Sequence, residues 1–375
     1  MPPCASTSAG IAPTLATVAT VEDTNQLGRA QLTAPSYRPG AISRFYDWCD
    51  RLPWHGWWLY PALAVALFAW AHAILWSTGR LPVGTIEPTL AVSVVYGPYS
   101  LGALAYLNHS AARALAAFWP ATGWPDEERP SWALAFTTIR AGLGLPCLVL
   151  GIVIAVGSFL SAPDTVVGFD DRSRLTYFVA FVPPAVFGYS MVFIALAHTT
   201  RQLRLVSRIH REAEAIDLFD RVPVYAFSRF TAQIGLVYLI SGYYTLAFNG
   251  SFQAGSLIGL GVLGLIIAFG TACFIVPLWG IHGRLVAEKD ALLAGVEARQ
   301  RRLGEELYRR IDAGEYDGTK VVSEGIAGAG AIHERIARLP TWPWPPQVFR
   351  GFVSALLLPV IVYLLSRFIG GQIGA

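Results

Sequence analysis

Three histidines carry the side chains best suited to chemistry in this chain, and they occur in similar local sequences. His109, His198 and His282 are each followed closely by an arginine, in the stretches HSAAR, HTTR and HGR. Imidazole nitrogens bind zinc and other divalent metals, and paired imidazoles bind haem iron. The three histidines are therefore candidate metal ligands, and a haem- or metal-binding redox protein is one interpretation of the chain.

A second interpretation gives these histidines a structural role at the ends of membrane helices. Each closes a predicted membrane helix, where histidine and arginine complement the helix dipole and meet anionic lipid headgroups. The chain has no HxxxH or HExxH sequence, and its four cysteines are far apart with no CxxC pair. Neither a zinc motif nor a disulfide framework is indicated. We therefore predict no bound cofactor and keep haem or metal as the less favoured interpretation.

The elements that position the histidines are predicted membrane helices. Hydrophobic residues make up 54% of the chain and charged residues 14%, against about 25% charged in a soluble domain. A helix needs roughly 20 apolar residues to cross about 30 Å of hydrocarbon. Seven stretches meet this requirement: 57–77, 88–108, 135–160, 175–199, 230–248, 253–281 and 349–369. The sequence predicts an all-α polytopic integral membrane protein with seven transmembrane helices.

The regions around these spans differ in composition. Residues 1–40 are rich in Ala, Thr, Ser and Pro, which predicts a disordered N-terminal tail. Residues 41–56 mix tryptophan, tyrosine and phenylalanine with arginine and aspartate, which is typical of an interfacial helix. We expect a six-helix transmembrane bundle at 57–282, including a cytosolic segment at 200–229, and a seventh helix with a short C-terminus at 347–375.

The distribution of arginine predicts the orientation of the bundle. Six arginines lie in 200–229, and the connection 283–346 carries ten basic residues, whereas 249–252 carries none. Connections rich in Lys and Arg stay in the cytosol. The N-terminus is therefore predicted to be cytosolic and the C-terminus outside, in the plasma (inner) membrane.

The connection 283–346 has its own helical pattern. Its ten basic residues are balanced by ten acidic ones, so it has no basic face for nucleic acid. Gly314 and Gly318 separate two amphipathic stretches, which predicts a cytosolic antiparallel helical hairpin between helices 6 and 7. A two-helix hairpin buries little on its own. We predict that an apolar stripe binds a partner: Leu292, Val296, Leu303, Leu307 and Ile311.

No catalytic motif stands out in the sequence, and no Asp or Glu lies inside a predicted span. The first interpretation is a non-enzymatic membrane protein whose hairpin mediates assembly or transmits a conformational signal, through a protein partner or self-association. The alternative is a channel or facilitative transporter, because prolines interrupt several spans and glycines form a stripe on the sixth. The bilayer is the expected environment, and we expect no nucleic-acid partner.

Overall fold

The computed structural model describes residues 38–162, 170–213, 218–248, 257–357 and 361. Within these ranges the chain is all-helical, and its one β-bridge joins Pro39 to Arg140. The predicted disordered tail at 1–40 lies outside the described residues except for its last three. The helices are α1 (Ala41–Cys49), α2 (Leu59–Ser77), α3 (Pro88–Phe118), α4 (Arg129–Thr137), α5 (Gly144–Leu160), α6 (Asp171–Glu212), α7 (Arg221–Phe248), α8 (Leu257–Ile275), α9 (Trp279–Asp312), α10 (Thr319–Ala337) and α11 (346–357).

Four helical stretches in the described part of the chain are long and apolar enough to cross a membrane. They are Leu59–Ser77, Ala141–Leu160, Asp171–Glu212 and Leu263–Asp312. Helices α3 and α7 cover the second and fifth predicted spans, but they are less apolar because they carry polar residues such as Asn108 and Gln233. About half of the seventh predicted span, 349–369, lies outside the described residues. The count of seven spans and their orientation stay predictions.

The third predicted span, 135–160, does not form one continuous helix. Helix α4 ends at Thr137, and α5 begins only at Gly144 after a short 3₁₀ turn. Arg140, predicted to lie inside this span, has an extended backbone and is exposed. Burying a guanidinium in hydrocarbon is costly, and glycines at 142 and 144 weaken a helix at this point. The apolar stretch of this span therefore begins at residue 141.

Helix α1 binds to the bundle through its buried face. The Ser43 hydroxyl donates to Ile139 O at 3.3 Å and accepts from Ile139 N at 2.9 Å. The Tyr46 hydroxyl donates to Leu101 O at 2.8 Å. Ser43, Tyr46 and Cys49 form the buried side of α1, whereas Trp48 is exposed on the other side. The helix is thus fixed by specific contacts to α3 and to the break after α4.

Helix α6 organises the bundle because it runs well past the length of a membrane span. Its 42 residues correspond to about 63 Å, roughly twice the hydrocarbon thickness. Pro183 and Pro184 lie inside it without ending it. Around its last turns lies the main core, which brings together side chains of α3, α4, α6, α7, α8, α9 and α11 and of the turn between α8 and α9. Among its members are Phe118, Trp132, Ile209, Phe227, Phe274, Leu278, Leu285 and Phe352.

Helices α9 and α10 pack side by side in opposite directions. Lys289 Nζ donates to Ala337 O at 2.6 Å and to Leu339 O at 2.9 Å. Further along, His333 Nε2 lies 3.5 Å from Glu297 Oε1. Leu285 and Leu292 contact the main core. We call residues 293–337, beyond Leu292, the arm.

Candidate functional site

The first of the three histidines, His109, lies at the surface of the bundle. Its Nδ1–H donates to Ala105 O at 2.8 Å, and its Nε2 is 3.6 Å from Asp50 Oδ1. The ring faces Trp57 at a centroid distance of 6.0 Å. The side chain is 48% exposed. Its two nitrogens are thus directed at the preceding turn of α3 and at the end of α1.

His282 has a different environment, at the base of the α9–α10 pair. Its ring stacks on Trp342 with a centroid distance of 3.8 Å and an interplanar angle of 5°. Its Nδ1–H donates to Thr341 O at 3.0 Å. Trp342 in turn stacks on Trp344 at 4.4 Å. His282 therefore ties the start of α9 to the segment that follows α10.

His198 is fully buried and belongs to a group of polar side chains between α3 and α6. Its Nε2–H donates to Asn108 Oδ1 at 2.8 Å, and Gln202 Nε2 donates to the same oxygen at 3.0 Å. Because Asn108 Oδ1 can only accept, the proton of the neutral imidazole is on Nε2. We call Asn108, His198 and Gln202 the polar cluster. Within the described ranges, His198 Nδ1 and Gln202 Oε1 have no hydrogen-bond partner.

The polar cluster also ends helix α4. Gln202 Nε2 donates to Phe136 O at 2.8 Å. Arg201 Nη2 donates to Ala135 O and to Thr138 O, both at 2.6 Å. The last carbonyls of a helix have no partner within it, and a cation nearby complements the dipole. Two neighbouring residues of α6 thus satisfy the carbonyl end of α4 and stabilise the break in the third predicted span.

The three histidines do not share a site. Each contacts a different group of residues, and His198 is separated from solvent whereas His109 is not. Across the described residues, no group of three His, Cys, Asp or Glu side chains could hold a metal ion. One bare imidazole nitrogen falls short of the three or four ligands of a zinc site. Metal or haem binding therefore stays the less favoured interpretation, without a matching ligand set in the part of the chain that the structure describes.

A line of hydroxyl groups continues from the polar cluster along the contact between α3 and α7. Thr199 Oγ1 and Tyr238 Oη are 2.7 Å apart. The Tyr99 hydroxyl donates to Val237 O at 2.7 Å, and the Tyr96 hydroxyl donates to Ser241 O at 3.2 Å. These bonds satisfy tyrosine hydroxyls that would otherwise be costly in an apolar interior. We call Tyr96, Tyr99, Thr199 and Tyr238 the hydroxyl seam.

A small cavity of about 40 Å³ lies beside the hydroxyl seam, one helical turn from the polar cluster. This volume suits roughly one or two water molecules. Its lining combines hydroxyl groups with aliphatic side chains: Tyr99, Ser100, Ala103, Leu104, Leu107, Val192, Ala195, Val237, Tyr238 and Ser241. The cavity is thus able to hold a small molecule that forms hydrogen bonds.

The predicted partner-binding stripe lies along α9, partly covered by its neighbours. Leu292 packs against the main core. Leu303 faces α10, because a Cβ added to Gly325 would lie 3.6 Å from its Cδ1. Val296 and Leu307 are half-buried, and Ile311 is 43% exposed. The outer half of the arm exposes more hydrophobic surface than the stripe does, at Tyr308, Tyr316 and Val321.

The thiol of Cys49 is a shielded titratable group that lies outside the predicted spans. Cys49 lies on the buried side of α1 and is 1% exposed. Burial raises the pKa of its thiol, and the Asp50 carboxylate raises it further, against a hydrogen bond with Tyr60 that lowers it. Burial has the larger effect because the thiolate loses its hydration. Cys49 therefore has the character of an inert structural cysteine.

The sequence pattern indicates the histidines but not the amide side chains of the polar cluster, of which Asn108 binds His198. Asn108 precedes His109, and Gln202 follows His198 by one helical turn. Gln233, in the fifth predicted span, accepts from the Ser110 hydroxyl. Amide side chains within or at the ends of apolar stretches need partners, which is the signal that was available. What spacing could not give was the identity of each partner.

No protein-family model, no curated protein and no solved structure matches this chain. Two features stand out: the polar cluster with its hydroxyl seam, and the arm.

Proposed function

We propose that this chain is a non-enzymatic multi-pass membrane protein whose arm extends on the cytosolic side and mediates assembly. The observation that carries the proposal is the hydrophobic surface of the outer arm. Tyr308 is 70% exposed, and Tyr316 and Val321 are each 71% exposed. Large hydrophobic side chains grouped near the tip of a projecting element are typical of a protein-binding surface.

The charge of this region favours a protein partner over other occupants. The ten basic and ten acidic residues of 283–346 give no net attraction to nucleic acid or to anionic lipid. Exposed tyrosines are enriched in protein interfaces, because the ring is apolar and the hydroxyl still finds a partner. The occupant of this proposal is a protein surface, either a second copy of the chain or another protein.

The base of the arm supports a role in transmitting a conformational signal as well. Lys289 binds the carbonyls of Ala337 and Leu339, and His282 stacks on Trp342. These contacts join the start of α9 to the end of α10, where Leu285 and Leu339 pack into the main core. A movement of the arm caused by a partner at its tip would therefore be transmitted to Leu285 and Leu339 in the main core.

The experiment replaces two exposed arm residues and measures the size of the assembly. Tyr308→Asp together with Val321→Asp should leave abundance in the membrane unchanged, because both side chains are exposed. The complex extracted in gentle detergent should lose mass relative to the unchanged protein, as measured by native mass analysis. Ser323→Asp, an exposed position on α10, is the matched control for an added charge.

The stripe residues are less suitable targets for this test. Leu303 contacts α10, so an aspartate there would separate α9 from α10 and confuse loss of a partner with loss of structure. If the Tyr308 and Val321 double variant keeps the mass of the unchanged protein, the arm does not mediate assembly. The proposal would then be wrong.

A second candidate, facilitated passage of a small neutral solute, rests on the cavity beside the hydroxyl seam. Its lining hydroxyls, from Tyr99, Ser100, Tyr238 and Ser241, offer hydrogen bonds within otherwise apolar helices. Stopped-flow swelling of proteoliposomes with water or short alcohols tests this candidate. Ala103→Trp should fill the cavity and abolish any flux above that of empty liposomes. Equal rates with and without protein would exclude this function for these solutes.

A further inference from the structure

The junction between α8 and α9 determines the direction of the arm. These two helices are separated only by a short 3₁₀ turn, Val276–Leu278, with Pro277 at its centre. Proline cannot donate a backbone hydrogen bond and clashes with the preceding turn, so it bends a helix. A bend at this point changes the angle of everything that follows in α9.

One residue of α6 touches both sides of this bend. His210 Nδ1 lies 3.5 Å from Pro277 O, within the turn itself. The backbone carbonyl of His210 accepts from Arg284 Nη1 at 2.7 Å, beyond the turn. Arg284 also reaches Arg211 O at 3.4 Å. The guanidinium thus satisfies terminal carbonyls of α6 and complements its dipole, while it belongs to the helix that becomes the arm.

The imidazole of His210 is held in place from the other side. The side chain is fully buried. Its ring packs against the rings of Phe118 and Phe227, at centroid distances of 5.1 Å and 5.3 Å. Both rings are T-shaped to the imidazole, an arrangement that fixes its orientation. His210 is therefore anchored in α3 and α7 while it contacts the bend.

We propose that His210 and Arg284 form a latch that fixes the angle between α8 and α9. Through this latch, the C-terminal end of α6 sets the direction of the arm. This inference deepens the proposed function and rests on it, because the direction of the arm affects function only if the arm binds a partner. The latch acts through positioning: a shift of α3, α6 or α7 in the main core would be carried to the bend by His210.

The test measures the distance between two spin labels by double electron–electron resonance, on full-length protein in lipid nanodiscs. The four native cysteines are first changed to serine. Spin labels are then attached at Ser323→Cys on the arm and at Arg129→Cys on α4, both of which are exposed positions. The unchanged latch should give one narrow distance distribution. His210→Phe keeps an aromatic ring between Phe118 and Phe227 but removes the contact to Pro277, and Arg284→Gln removes the charge at the end of α6. Both should broaden the distribution or shift it.

Two further variants make the result specific. Arg284→Lys retains a donor and should restore much of the narrow distribution, whereas Arg299→Gln, an exposed change on α9, should leave it unaltered. A narrow, unshifted distribution in Arg284→Gln and in any folded His210→Phe sample would show that Pro277 and the core fix the bend without a latch. When each nanodisc holds a single copy of the chain, no partner takes part in this measurement, and its failure leaves the assembly experiment on Tyr308 and Val321 unaffected.

Discussion

Asn108 and His198, ninety residues apart in the chain, share a hydrogen bond of 2.8 Å in which the amide oxygen fixes the tautomer of the ring. The same oxygen accepts from Gln202, and Gln202 in turn ends helix α4 at Phe136 O. The side chain of Asn108 thus connects α3 to α6, and through Gln202 this connection extends to the end of α4. The first prediction follows from this relationship.

Asn108→Leu should destabilise the protein, because it leaves donors of His198 and Gln202 without their shared acceptor. An unsatisfied buried polar group costs about 1–3 kcal/mol, so the thermal midpoint in detergent should fall clearly. His109→Ala is the matched control, since the neighbouring side chain is 48% exposed and its loss should have a small effect. Equal midpoints for the two variants would contradict a central role for the polar cluster.

Two glycines of the bundle should respond in opposite ways to alanine. A Cβ at Gly235 would lie 2.8 Å from Gly270 O and 2.7 Å from the Phe352 ring, whereas a Cβ at Gly264 meets nothing within 4 Å. Gly235→Ala should cost about 1–3 kcal/mol by overpacking, measured as a lower thermal midpoint. Gly264→Ala should be neutral or slightly stabilising, because alanine favours helix. A loss of stability at Gly264 instead would indicate a neighbour packed on that face.

The orientation of the bundle is a prediction from arginine distribution and is tested by labelling from outside intact cells. On a background without native cysteines, Val83→Cys should react with a membrane-impermeant maleimide, because it is 81% exposed in a connection predicted to be external. Lys320→Cys on the arm should react only after permeabilisation. Labelling of Lys320→Cys in intact cells would reverse the orientation and place the arm outside.

Cys49 should resist alkylation at neutral pH. Burial raises the pKa of its thiol, so the reactive thiolate forms only at a pH above the ordinary range for cysteine. The rate of reaction with iodoacetamide, followed by mass spectrometry, should rise at a higher pH for Cys49 than for a cysteine placed at exposed Asp47. Denaturant should remove the difference. Rapid labelling of Cys49 in the folded protein at pH 7 would mean that α1 detaches from the bundle.

Hydrophobic runs and charge predicted the all-helical class, and four of the predicted spans coincide with helices apolar enough to cross a membrane. The third span was wrong at its start, because the structure ends α4 at Thr137 through donors from Arg201 and Gln202. No local pattern reveals such a cap, since it comes from residues more than sixty positions away. The prediction that each of the three histidines closes a helix is wrong, because one helix continues past His109 to Phe118 and another past His198 to Glu212. His282 lies in the first turn of α9. Nor could the sequence distinguish the buried His198 from the exposed His109.

The composition of the main core has a consequence for biogenesis. Its members extend from Leu107 to Phe352, so the part of the core on α7 and α8 that packs against Phe352 stays uncovered until nearly the whole chain has been synthesised. Helices that have already entered the bilayer would wait with Phe274 lacking its Phe352 neighbour, because distant contacts form last. Ribosome stalling or truncation before residue 352 would then leave an inserted but immature protein, which is the form that membrane quality-control proteases degrade.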